Sequence, residues 1–396
     1  MSPNFKTPNK SSDLEHEFLI NLIRYILINR YSARILSSSE ELFSYLDSNK
    51  NKVNQLKLFK NIRKNKLINF IDSDKTIYQL IPQCVRNFKN LKNFYKINSL
   101  NYLFYIREIS KILTKANIPF ILLKGVVLSK IIYDNLHSRY SQDLDIFIDK
   151  KNLLKTIDIF SKNNYKIRDL NYKILRNDKI LKYINWVDYS FDFENNILGR
   201  NFEIDLHWDL SYMRRNIPNF NESWNSRNNL IIEGENVQTL STLHNFIHLC
   251  AHSAKDGWMI KRDLIEIFLL SRKLPLEKLK KFENIKFIRN SIYASNFIVN
   301  AEDQFIIDQK DKEKVISLAY KNQLLPKRYL NNVEKNFLVY FENFYNSISL
   351  NMEISDQLRA ISHKILRPNL FSENIETGSI LLIFFKRFKR FIKRFL

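Results

Sequence analysis

Apolar positions recur at helical spacing almost from the start of the chain. Between 15 and 36, Phe18, Leu19, Leu22, Ile23, Tyr25 and Ile26 follow one stripe. The pattern resumes over 56–113, with breaks near 72–75 and at Pro82. This predicts an N-terminal helical region over 1–115, opening with a polar, loose stretch at 1–12; its Lys-rich faces read as solvated surface. The period changes at Asn117. Ile118-Pro119-Phe120-Ile121-Leu122-Leu123 is a short apolar run bounded by Lys124-Gly125 and reads as a strand. Helices are then predicted over 126–135 and 152–162, and strands over 144–148, 165–168 and 183–193. The last of these alternates through Val187-Asp188-Tyr189-Ser190-Phe191-Asp192-Phe193. Phe202 to Trp208 alternates again, and 230–237 predicts a hairpin around Gly234. Strands mixed with helices over 116–240 indicate an α+β core. Helical periodicity returns at Thr242, which predicts a C-terminal helical domain over 241–396. No internal repeat is evident.

Composition narrows the function classes. With 396 residues, 45% hydrophobic and 26% charged, the chain can bury a core, and wholesale disorder is excluded. It carries 63 Lys+Arg against 41 Asp+Glu, a net +22, which favours anionic partners. The same Lys-, Asn- and Ile-rich mix is what an AT-rich genome produces, so charge alone assigns no partner. Two cysteines, Cys84 and Cys250, exclude a disulfide scaffold and a four-thiolate zinc site. The N-terminus has no apolar signal-peptide core and no apolar run approaches 18 residues, so a cytoplasmic protein is expected. The end of the chain, 380–396, is basic and aromatic. As a helix it would suit peripheral contact with an anionic membrane on its inner face.

Only five glycines are present, and no GxGxxG, GxxxxGK[ST] or GxSxG pattern occurs. This excludes the Rossmann and P-loop phosphate sites and the usual serine-hydrolase elbow. The strongest chemical signal is Asp143-Leu144-Asp145, followed by Ile146-Phe147-Ile148. On a strand both carboxylates point to one side. Two such charges near 4 Å repel by roughly 4 kcal/mol at an effective dielectric of 20. A divalent cation relieves that repulsion, and oxygen-coordinated Mg²⁺, or Mn²⁺, suits it. Upstream, Leu122-Leu123-Lys124-Gly125 places a glycine between a strand and a helix, where backbone N–H groups can face an anion. Arg139 adds a forked cation suited to phosphate. Downstream, Asp205 lies in the alternating run Ile204-Asp205-Leu206-His207-Trp208 and can complete a two-metal site.

The runs LLKGVVLSKIIYDNLHSRYSQDLDIFI, EIDLHWDL and HLCAHSAKDGWMIKRDLIEIFLL resemble the uncharacterised nucleotidyltransferase family within the DNA polymerase β-like superfamily. The resemblance covers about 115–270. It implies a polymerase β-like core, a mixed sheet with helices, flanked by helical regions. The superfamily's glycine, Dx[DE] strand and third acidic residue match Gly125, Asp143 with Asp145, and Asp205; Lys124 and Arg139 match its Lys-Gly and preceding Arg positions. Val126 departs from the usual Gly or Ser, and the gap from Gly125 to Asp143 is longer than in the wider superfamily. The implied activity is Mg²⁺-dependent transfer of a nucleoside monophosphate from an NTP such as ATP to an acceptor, a small molecule or protein, with release of pyrophosphate. Asp143, Asp145 and Asp205 would hold the metal and carry catalysis, and Lys124, Gly125 and Arg139 would bind the nucleotide.

Two further readings stay open: a non-catalytic scaffold acting at an anionic surface or membrane, and nucleic-acid end modification. The second ranks lower, since no RNA-binding module or paired aromatic platform is present. Glu203 and Asp209 flank the third aspartate position, and Glu203 shares its strand face. His207 falls on that face too and is expected to make a structural hydrogen bond. His244, His248 and His252 recur every four residues, a spacing able to bind zinc, but neither HExxH nor a fourth ligand is evident; a helix face packed on the core is expected. Lys255 and Trp258 in the same segment could meet a nucleotide base or the acceptor, and neither is counted among the site residues.

Overall fold

The helical spacing near the N-terminus is realised as a series of capped helices. The computed structural model of the chain describes residues 14–71, 76–168, 175–197, 200–305, 307–324 and 343–366. The polar stretch 1–12, the break at 72–75 and the basic aromatic segment 380–396 lie outside them. Helix α1 (Leu14–Tyr31) buries Phe18, Leu19, Leu22, Ile23 and Ile26, the stripe read from the sequence. Helix α2 (Ser39–Asn49) starts on a capping box between Ser38 and Glu41, and α3 (Gln55–Lys64) on the Asn54 side chain. Pro82 is the first residue of the 34-residue helix α4 (Pro82–Lys115). The proline that interrupts the apolar pattern starts a helix there, where its missing N–H costs nothing.

The described residues form two compact units. One runs to Phe94 and includes Asn296–Asp303; the other comprises Tyr95–Ser295 and the residues from Gln304 onward. Residues 95–115 of α4 and residues 241–295 fall in the unit that holds the sheet.

The sheet is mixed, as expected for an α+β nucleotidyltransferase-like core. Its strands are β1 (Phe120–Leu122), β2 (Asp143–Ile148), β3 (Lys166–Ile167), β4 (Ser190–Ile197), β5 (Arg200–His207), β6 (Asn228–Ile232) and β7 (Glu235–Thr239). Their order is β3-β4-β5-β2-β1-β7-β6, with β2–β5 and β1–β7 parallel and the other pairs antiparallel. Between β1 and β2 lies α5 (Gly125–Tyr133), and α6 (Leu153–Lys162) follows β2. One apolar cluster joins Leu144, Ile146 and Ile148 of β2 and Ile204 and Leu206 of β5 to Ile106, Ile109 and Leu113 of α4 and Phe160 of α6. Phe147, of opposite strand parity, belongs instead to a smaller cluster with Ile121, Leu123, Leu210, Phe220 and Leu240.

The strand expected over 183–193 is half helix. Helix α7 (Asp178–Val187) occupies its first part, and β4 begins only at Ser190. Leu181 and Ile184 share a helical face that packs on the core, and Asn177 accepts the Lys179 amide at 3.0 Å to start the turn. A short run rich in Tyr, Ile, Trp and Val satisfies both periods, and the helical start signal decides between them. After β7 come α8 (Thr242–Lys255), α9 (Lys261–Arg272) and α10 (Lys286–Val299); α8 packs on α9, and α9 also meets α5.

Candidate active site

Parallel pairing of β2 with β5 brings the aspartates together. The register sets Asp145 opposite Asp205, with Asp143 opposite Glu203 and Phe147 opposite His207. A slip of one residue would carry both carboxylates into the cluster holding Ile146 and Ile204, so burial of that face pins the register. His207, two residues beyond Asp205, shares its side of β5. Its Nε2 lies 3.0 Å from Asp205 Oδ2 and 3.2 Å from Asp145 Oδ1. Lys124 Nζ approaches Asp145 Oδ1 at 3.5 Å. Asp145 and His207 are only 3% and 1% exposed, so these charges interact with little screening.

The electrostatics follow from that geometry. Burial alone would lower the His207 imidazole, but Asp205 and Asp145 outweigh it and push its pKa up to about 10. Burial opposes the charge on Asp145, yet Lys124 and His207 hold its carboxyl well below the usual range. Asp205 is lowered as well, His207 overcoming burial. Asp143 moves the other way, raised first by the Asp145 charge and then by burial. Two neighbouring carboxylates of opposite shift are a mark of functional sites.

The turn into α5 is strained. Lys124 has φ +44° and Gly125 φ +46°, a left-handed pair directly after β1. A Cβ on Gly125 would lie 2.6 Å from the Tyr102 hydroxyl oxygen, which itself donates to the Asp143 carbonyl at 2.6 Å. Glycine is required by both conformation and space. Thus Tyr102 of α4 ties the glycine turn to the first aspartate of β2.

Arg139, read as a phosphate ligand, faces inward. Its Nε donates to both oxygens of Glu266 on α9, at 3.1 and 3.2 Å, and both side chains are buried. Its amide bonds Ser129 Oγ at 3.1 Å, and Arg262 donates to the Tyr140 carbonyl at 3.2 Å. The segment leading into β2 is therefore staked from both α5 and α9. Glu203 is taken by Arg168 at 2.6 Å and Asp209 by Arg214 at 2.9 Å. The three histidines of α8 do not converge. His244 meets Ser226 at 3.3 Å, while the His248 and His252 rings are 6.4 Å apart. Trp258 is fully buried with its indole N–H on Ser291 Oγ.

Among the described residues, the group able to surround a cation is Asp145, Asp205 and His207, whose ligand atoms lie within 4.8 Å of one another. Asp143 is the next residue on the same face of β2, its Oδ1 accepting from Ser141 at 3.0 Å. Asp205 Oδ1 is buried and has no hydrogen-bond partner. An orphaned, buried carboxylate oxygen beside a second carboxylate fits a hard divalent cation.

A family model described as an uncharacterised nucleotidyltransferase matches residues 56–285, more than half of the chain and all of the site. The chain belongs to that nucleotidyltransferase family. The match takes in the glycine turn, β2, β5 and the α8–α9 pair. It begins well before the 115–270 resemblance, so it includes α4 and with it Tyr102. No curated protein and no solved structure matches. Nucleotidyl transfer, with an NTP as substrate and a divalent cation as helper, is the chemistry this nucleotidyltransferase family implies. The described residues contain no helix long and apolar enough to cross a membrane.

Some of the site was not legible from single motifs. Tyr102 and Glu266 carry no local signature, since each acts on a residue far along the chain. His207 was visible on the aspartate face but was read as a structural histidine.

Proposed function

We propose that the protein is a divalent-metal-dependent nucleotidyltransferase that moves a nucleoside monophosphate from an NTP to an acceptor oxygen, releasing pyrophosphate. The observation that carries this reading is the Asp145–Asp205 pair with its orphaned oxygen, beside a lysine–glycine turn, in a chain of this family. Asp145 and Asp205 would hold the cation, with Asp143 and His207 within reach of the same place. When bound, Mg²⁺ or Mn²⁺ would neutralise phosphate charge and stabilise the displacement at the α-phosphorus. The chain's own groups do the rest. Lys124 and the backbone of Gly125 steady the β- and γ-phosphates at the start of α5. Asp205 Oδ1 accepts the proton of an acceptor hydroxyl. The new bond forms between the acceptor oxygen and the α-phosphorus, the bond to the bridging oxygen of the β-phosphate breaks, and pyrophosphate leaves with that oxygen. Arg139 acts at one remove: by holding Glu266 it positions the segment that leads into Asp143.

The purified protein, incubated with α-labelled NTPs, Mg²⁺ or Mn²⁺ and a cell extract, should transfer label to a product. Asp145→Ala and Asp205→Ala should abolish transfer while leaving the circular dichroism spectrum intact. Undiminished transfer by both variants would remove the mechanism.

A further inference from the structure

The aspartate pair is bracketed from two sides. The Lys124–Gly125 turn follows β1, on one flank of β2. On the far flank, beyond β5, Tyr189 leads into β4, its carbonyl accepting the Trp208 amide at 3.0 Å. The Tyr189 ring lies 5.8 Å from the His207 ring, and its hydroxyl receives the Lys255 ammonium at 3.1 Å. Lys255 is the last residue of α8 and only partly exposed. Among the described residues no carboxylate comes within ion-pair distance of its Nζ; its neighbours are the phenol oxygen and, 5.4 Å away, the centre of the same ring. Withdrawing an ammonium from water is costly, and here Tyr189, Asp256 and Asp205 outweigh burial and keep Lys255 charged beside the aspartate site, where an anionic group can meet it. Its place at a helix C-terminus offsets part of that cost. His248, one turn of α8 before His252, is buried within electrostatic reach of the site: burial, then Lys124 and His207, lower its pKa, and Asp145 opposes them.

We infer that Lys255 and Tyr189 form an oxyanion-binding subsite on the acceptor side of the aspartates, so that the acceptor is an anionic hydroxyl compound bearing a phosphate or carboxylate group. This rests on the nucleotidyltransferase reading. The donor phosphates take the Lys124 flank, and the acceptor's anionic group docks on the Lys255 ammonium and Tyr189 hydroxyl. That leaves its hydroxyl facing Asp205.

Calorimetric titrations of the full chain with glycerol 3-phosphate, glycerate and neutral glycerol would test it, each with a saturating non-hydrolysable ATP analogue and Mg²⁺. At least one anionic probe should bind and glycerol should not; which anion binds tighter tells phosphate from carboxylate. Lys255→Met should weaken the anionic probe at least tenfold, Lys255→Arg should restore most of the affinity, and Tyr189→Phe should cost less than Lys255→Met. Affinity for the ATP analogue should stay within twofold in all three. Equal binding of the probe by Lys255→Met, or no binding of either anion to the wild type, overturns the inference. A loss confined to the ATP analogue would assign Lys255 to the donor phosphates and overturn it equally. Asp145→Asn tests the underlying reading separately: it should lose Mg²⁺-dependent binding of the analogue, whatever happens at Lys255.

Discussion

Gly125→Ala is the sharpest probe of how the site is built. The substitution must hold alanine at φ +46°, which costs roughly 1–2 kcal/mol for an L-residue. The new methyl would also sit 2.6 Å from the Tyr102 hydroxyl and 3.0 Å from its ring carbon, so the ring has to retreat. Retreat breaks the bond to the Asp143 carbonyl, and stranding a buried polar group costs roughly 1–3 kcal/mol. Together these give about 2–5 kcal/mol. At about 2–4 °C per kcal/mol for a domain of this size, the melting temperature should fall by about 4–20 °C. Tyr102→Phe alone should cost about 1–3 kcal/mol through the same carbonyl. In the double variant the closest clash is gone but the ring carbon remains, so the two effects should fall short of additivity by about 1 kcal/mol. Thermal unfolding of the four proteins measures the cycle. Label transfer should also drop about a hundredfold in Gly125→Ala, because the shift moves Lys124 and Asp143 together. A Gly125→Ala protein that melts within 1 °C of the wild type, or strict additivity with Tyr102→Phe, would refute the coupling.

Other tests address separate parts of the molecule. Asp205→Asn, which keeps the shape of the side chain, should lower turnover by at least about a hundredfold, since transition-state interactions worth several kcal/mol are removed; unchanged single-turnover rates would contradict this. Millimolar Mg²⁺ or Mn²⁺ should raise the melting temperature of the wild type but not of Asp145→Ala, because only a folded site binds the ion. Glu266→Ala would leave Arg139 buried without its partner and should cost roughly 3–5 kcal/mol in denaturant unfolding. Glu266→Gln, which keeps a hydrogen-bond acceptor, should cost less, and equal losses would show that the charge is irrelevant. Burial pushes the Cys84 thiol up to about 12 and raises Cys250 as well, so little thiolate is present at neutral pH. Ellman's reagent at pH 8 should therefore find no fast thiol in the native protein and two after denaturation.

What could be read in advance was whatever is encoded locally. The alternation in Asp143–Ile148 and in the strand of Asp205 gave strands with the carboxylates on one face. A glycine kept in a chain with only five marked the strained turn. The segment 183–187 was misread because five residues cannot distinguish a period of 2 from one of 3.6 when four of them are bulky and apolar or aromatic. The partner of Arg139 was not legible for a different reason. A guanidinium near an acidic motif looks like a phosphate ligand until its partner is known, and Glu266 comes from another helix. The convergence of His207 on two carboxylates likewise depends on strand register, which pairs residues about sixty positions apart.

The bond between Arg139 and Glu266 spans 127 residues of chain. A ribosome adding about 5–20 residues per second needs roughly 6–25 seconds to cover that distance. For roughly the second half of that interval the nascent protein already carries all three aspartates, yet lacks the anchor that sets the approach to them. The assembled site then arrives late in synthesis, and a product truncated before α9 would hold the three carboxylates without the brace that aims them.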